Sequence, residues 1–145
     1  MKYKLLVLDL DGTLTNSKKE ITPNTLQTLT EAQEKGIKIV LASGRPTYGV
    51  APLAEKLQLE KYEGYILSYN GGEIIDWKTK EMMYKNLLDH AVLPYLYECA
   101  KKNQFAILTY DGEYVLTETP DDEYLIKEAK LNGMKIKKVD NFLAA

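Results

Sequence analysis

The chain has 145 residues, enough for one ordinary domain or one and a half small ones. At 45% hydrophobic and 28% charged it can build a core, which excludes a disordered polymer. Nineteen Lys and Arg against 21 Asp and Glu leave a formal charge of −2, which argues against a dedicated nucleic-acid surface.

The start, Met1-Lys2-Tyr3-Lys4, runs straight into an apolar segment without the form of a signal peptide. No apolar stretch reaches the ~20 residues needed to cross a bilayer. The expectation is a cytoplasmic protein with no membrane partner. A strand is predicted over residues 4–9, apolar on both faces and therefore suited to the middle of a parallel sheet. It ends in Asp9-Leu10-Asp11-Gly12-Thr13. Burying two neighbouring carboxylates is costly unless a cation or a substrate uses them. Thr22 reads as an N-cap and Pro23 as the first residue of a helix carrying Leu26, Leu29 and Ala32, with Gly36 as its stop. A second apolar strand, residues 37–42, ends in Ser43-Gly44-Arg45-Pro46, and a helix follows with Val50, Leu53, Ala54 and Leu57 on one face. A third strand near residues 64–68 ends in Tyr69-Asn70-Gly71-Gly72. Short links between strands and helices predict right-handed crossovers and a parallel sheet.

The second half reads differently. Residues 73–76 and 82–84 flank a polar hairpin loop. A helix is predicted over 89–102, strands over 105–110 and 114–117 about an Asp111-Gly112 turn, a helix over 121–130 and a strand over 134–139. The expected result is an antiparallel sheet with helices on one side. Cys99 is the single cysteine, which excludes an internal disulfide, and its neighbours Tyr95, Leu96 and Ala100 predict a buried helix thiol. His90 reads as a surface or capping residue.

In open parallel sheets ligands bind at the carboxyl ends of the strands, where these polar clusters fall. Asp9 and Asp11 offer hard oxygen ligands of the kind Mg²⁺ takes. A carboxylate can also attack phosphorus once a cation offsets its charge, and a second carboxylate can serve as acid and base. Ser43 and the Gly44 amide, ahead of a helix N-terminus, suit phosphate oxygens. Arg45 suits an anionic substrate or a nearby carboxylate. Asn70 and Gly71 either face the same crevice or only form a tight turn. A calcium loop is the rival reading of Asp9, Asp11, Thr13 and Glu20. Leu14 stands where that loop needs glycine, and a strand precedes it.

Asp9-Leu10-Asp11-Gly12-Thr13-Leu14, Ser43-Gly44-Arg45-Pro46 and Asn70-Gly71 together resemble the haloacid dehalogenase superfamily, specifically the Cof-type phosphatases with a type IIB α+β cap. The resemblance implies an α/β fold. Residues 1–84 would form the N-terminal part of a Rossmann-like parallel-sheet core, incomplete here, and residues 85–145 the first part of the cap. It implies Asp9 as nucleophile and metal ligand, and Asp11 as acid/base that binds Mg²⁺ through its main-chain carbonyl. The Leu10 amide, Ser43 and Gly44 would bind the phosphoryl group, with Arg45, Asn70 and Gly71 beside the substrate. The implied partner is a small phosphorylated metabolite such as a sugar phosphate, with the oligomeric state left open. The family's third motif, a lysine, and its fourth, a Gly-Asp pair, are not visible. The chain is therefore expected to be the N-terminal portion of a longer enzyme, inactive alone. A phosphomutase and a non-catalytic binding remnant are the alternatives.

Overall fold

The computed structural model describes residues 3–144, and the backbone forms two compact units that part between Asn86 and Leu87. The first unit runs β1 (Leu5–Asp9), α1 (Pro23–Glu34), β2 (Lys38–Ala42), α2 (Thr47–Lys56), β3 (Tyr65–Ser68), β4 (Glu73–Asp76) and β5 (Met82–Lys85). The five strands form one sheet in sequence order, with β1, β2 and β3 parallel and β4 and β5 antiparallel.

Local chemistry explains the helix boundaries. Thr22 accepts from the amide of Thr25, and Pro23 sits where a helix has no use for an amide proton. Gly36, at φ +84°, turns the chain out of α1 in a conformation that would strain a side chain. Leu29, Val50, Ala54 and Leu57 then bury against Leu10, Ile39, Leu41 and Ile66, with Leu6 and Leu8 of β1 packed on this cluster.

Within the described residues the first strand is not the central, doubly buried one expected of the whole core. β1 pairs with β2 alone among the described residues and lies at the sheet edge. Its even-numbered residues face the helices, whereas Leu5 and Val7 are 53% and 55% exposed on the other face. An apolar run states that burial is favourable, but the period of two splits it between faces that need separate covers. Asp9 and Asp11 are also exposed among the described residues.

The second unit contains α3 (Leu93–Asn103), β6 (Thr109–Asp111), β7 (Tyr114–Thr117), α4 (Glu123–Asn132) and β8 (Lys135–Lys138). Its sheet is mixed, not antiparallel: β6 runs against β7, but β8 is parallel to β7 because α4 crosses between them. Asp122 caps α4 by accepting from Tyr124 and Leu125, and Val115, Ala129 and Met134 form the core. The predicted strand over 105–110 shortens to β6. The pairing of Asp111 with Tyr114 moves the turn to Gly112-Glu113. Cys99 is exposed rather than buried. Two residues earlier, Tyr97 stacks on Phe142 and donates to Glu118; a two-residue step rotates a helix by roughly 200° and turns the thiol away. His90 is exposed in a 3₁₀ turn capped by Asp89. No helix among the described residues is long and apolar enough to cross a membrane.

Candidate functional site

Register assembles the site. Asp9 lies opposite Ala42, and Ala42 opposite Leu67, so β1, β2 and β3 end at one edge of the sheet. The three polar clusters leave the sheet side by side at that edge.

The first loop is a wound turn. Leu10 is fully buried, and its carbonyl accepts from the amides of Thr13 and Thr15 and from the Thr15 hydroxyl at 2.8 Å. The Asp9 carbonyl accepts from Leu14. Gly12, at φ +86°, makes the reversal. Burial of Leu10 and the hydroxyl of Thr15 thus anchor the stretch that presents both aspartates to solvent.

The second and third loops are joined to each other. The Ser43 amide donates to Leu67, and Ser43 Oγ accepts from the Arg45 amide at 3.2 Å. In return Asn70 donates its amide to the Ser43 carbonyl and Tyr69 to that of Arg45. Tyr69, Asn70 and Gly71 all have positive φ, a conformation costly for the first two and stabilised here by those bonds. The Asn70 carboxamide lies against Gly44: a Cβ there would meet Asn70 Oδ1 at 2.9 Å, so any larger residue must push that carboxamide aside. Gly71, at φ +93°, serves the turn.

Asp11 is where the first two loops meet. Arg45, 8% exposed, donates Nε to Asp11 Oδ2 at 2.8 Å and Nη2 to Oδ1 at 2.6 Å. Such a two-pronged match suits a planar guanidinium. Lys19 adds its ammonium to Oδ1 at 2.8 Å. The Arg45 bond foremost, and Lys19 with it, hold the Asp11 carboxyl at about 2 against the opposing effect of burial. Arg45 therefore takes the carboxylate option of the two its sequence context offered.

Sequence reasoning missed three contributors. Lys19 sits in a Lys-Lys-Glu run that reads as solvated surface. The available signal was Asn16, whose side chain accepts from the amides of Lys18 and Glu20 and winds the turn. Thr47 and Glu73 lie beneath the third loop: Thr47 Oγ1 bonds Ser68 Oγ at 2.7 Å and Glu73 at 3.3 Å, and Lys85 lies 3.5 Å from Glu73. These contacts join residues from four elements, α2, β3, β4 and β5, so no local pattern announces them.

The donor set suits Mg²⁺ as an open site. No cluster of three or more His, Cys, Asp or Glu that could hold a metal occurs among the described residues. Mg²⁺ nevertheless needs few protein ligands, because it keeps water and shares phosphate oxygens. Arg45 and Lys19 both bond the Asp11 carboxylate, and the family resemblance, not this geometry, is what implies its main-chain carbonyl as a metal donor.

A profile of the haloacid dehalogenase-like hydrolases matches residues 6–144, and the chain belongs to that family. A protein of Streptococcus pyogenes serotype M6 named "Putative phosphatase" is 32% identical over 139 residues, covering 94% of this chain and 51% of that protein. "Putative phosphatase YxeH" of Bacillus subtilis is 30% identical over 141 residues, covering 95% and 52%. A crystal structure of a haloacid dehalogenase-like hydrolase from Bacteroides thetaiotaomicron superposes with a TM-score of 0.93 at 59% identity, over 99% of this chain and 54% of that one. The chain spans about half the length of the curated relatives it matches. The α/β fold and the Cof-type resemblance read from the motifs are thereby borne out.

Proposed function

We propose that the protein is a phosphatase of small phosphorylated metabolites that works through an aspartyl phosphate on Asp9, with Mg²⁺ as its metal. The observation that carries this reading is the register of three strand ends, Asp9 with Ala42 and Ala42 with Leu67, which collects both aspartates, Ser43, Gly44, Arg45 and Asn70 at one sheet edge. The phosphatase names of the relatives support it. So does a more distant one, the pyridoxal phosphate phosphatase YbhA of Escherichia coli, 25% identical over 120 residues.

In this scheme the substrate phosphoryl group accepts hydrogen bonds from the Leu10 and Gly44 amides and the Ser43 hydroxyl. The Asp9 carboxylate and the Asp11 carbonyl would hold Mg²⁺, which would supply positive charge to offset repulsion between Asp9 and the dianion. An Asp9 oxygen forms the new bond to phosphorus as the ester oxygen departs and takes a proton from Asp11. Water then attacks the phosphoaspartate, Asp11 recovers a proton from it, and inorganic phosphate leaves with Asp9 restored. Gripped by Arg45, Asp11 is the carboxylate that receives a proton from water. To give one to a leaving group it must first rotate off the guanidinium.

The test is a panel of phosphate monoesters, assayed for phosphate release with and without Mg²⁺, on the protein at its full encoded length. Asp9→Asn is expected to abolish release and to prevent formation of a beryllium fluoride adduct. Undiminished turnover by that variant, or an adduct on another residue, refutes the reading.

A further inference from the structure

We propose that Lys19 is a phosphate-binding residue of this site, one that transfers its ammonium from Asp11 to an oxygen of the bound phosphoryl group. The inference rests on the phosphatase reading above and adds a residue to it.

Three observations carry it. The first is redundancy. The buried Arg45 already neutralises Asp11 and bonds both its oxygens, so the 2.8 Å contact from Lys19 puts a second cation on Oδ1. The Lys19 side chain is 46% exposed and can leave that contact without losing a packed position. The second is placement. Asp11 lies two residues from Asp9, so an ammonium bonded to it already stands at the end of β1, where a phosphoryl group attacked by Asp9 must lie.

The third is construction. Lys19 adopts φ +63°, a left-handed conformation that is costly for a non-glycine residue. The turn around it is closed by the Asn16 side chain, which accepts from the amides of Lys18 and Glu20, and by the bond from the Lys19 amide to the Asn16 carbonyl. The Asn16 amide in turn donates to the Glu20 carbonyl. This tight turn fixes where the Lys19 side chain leaves the backbone, while its long stem keeps the ammonium movable. Adjacent Lys18 carries the same charge on the same turn and makes no ion pair with Asp11. A phosphate dianion carries more charge than a carboxylate and offers more acceptor oxygens, so it competes well for a mobile ammonium.

The test is titration of the protein at its full encoded length with inorganic phosphate, followed through the amide resonances of Ser43 and Gly44 at fixed Mg²⁺ and ionic strength. Lys19→Met keeps the stem and the backbone cost and removes only the charge; it is expected to weaken phosphate binding about 3- to 5-fold, the size of one solvent-exposed ion pair. Lys19→Arg should bind within a factor of about two of the wild type, since it restores the charge. Lys18→Met removes one positive charge next door and should leave affinity unchanged, which separates contact from the general field. If Lys19→Met binds phosphate as Lys18→Met does, while the wild-type resonances still shift, Lys19 only braces the loop and the proposal falls alone. If phosphate shifts no resonance at Ser43 or Gly44 in the wild type, the phosphatase reading falls and takes this proposal with it.

Discussion

Replacing Arg45 by Met should raise the Asp11 carboxyl and flatten the acid limb of the stability profile. In the native protein Arg45, aided by Lys19, pulls that carboxyl from 3.8 to about 2. The folded state therefore binds its proton more weakly than the unfolded chain. The resulting stability is complete above the unfolded value of 3.8 and disappears as the pH falls through about 2. At ~1.4 kcal/mol per pH unit the displacement would amount to roughly 2.5 kcal/mol. The Asp11 side chain is 34% exposed, and water screens such a pair, so about 1 kcal/mol is the expected pH-dependent share. Glu63, held at about 2 by Lys78 and Lys38, titrates in the same window. It is common to both proteins and cancels in their difference. The assay is urea unfolding from about pH 2 to 7, paired with a carbon NMR titration of the aspartate carboxyls. In Arg45→Met the Asp11 carboxyl should move up towards its ordinary value, still drawn down by Lys19. The stability gap to wild type should widen by about 1 kcal/mol between the acid end and neutrality. A wild-type Asp11 that titrates near 3.8, or two stability profiles that run parallel, would refute the electrostatic account.

Three further changes separate packing from chemistry. Leu10→Ala removes a fully buried side chain beneath the aspartates and should lower unfolding stability by about 3 kcal/mol in urea melts. Gly44→Ala places a Cβ 2.9 Å from Asn70 Oδ1 and should displace that carboxamide at a cost of about 1 kcal/mol, visible as shifted Asn70 side-chain amide resonances. Asp122→Ala removes two capping bonds from α4 and should cost about 1 kcal/mol, read as loss of amide-exchange protection in the second unit.

The local motifs were legible because short-range chemistry writes them. Thr22 and Pro23 open α1, Gly36 closes its exit, and the apolar runs before Asp9 and Ser43 become strands that deliver their polar ends to one edge. The partners of those ends were not legible. Arg45 stands 34 residues from Asp11, and its choice of that carboxylate depends on the register of two strands, which no window of sequence contains. Lys19 was hidden for a related reason: a charged run looks alike whether it faces solvent or an aspartate.

The edge position of β1 and the parallel pairing of β8 make the same point at the level of the sheet. Hydrophobicity decided that Leu5 to Leu8 would form a strand, since apolar area leaves water wherever a cover exists. Which face received the cover, and on which side a neighbour lies, followed from where α1, α2 and β2 pack. Composition and periodicity are summed along the chain and so determine elements. Tertiary structure alone decides contacts, because a hydrogen bond or an ion pair depends on distances of a few ångströms between residues far apart in sequence.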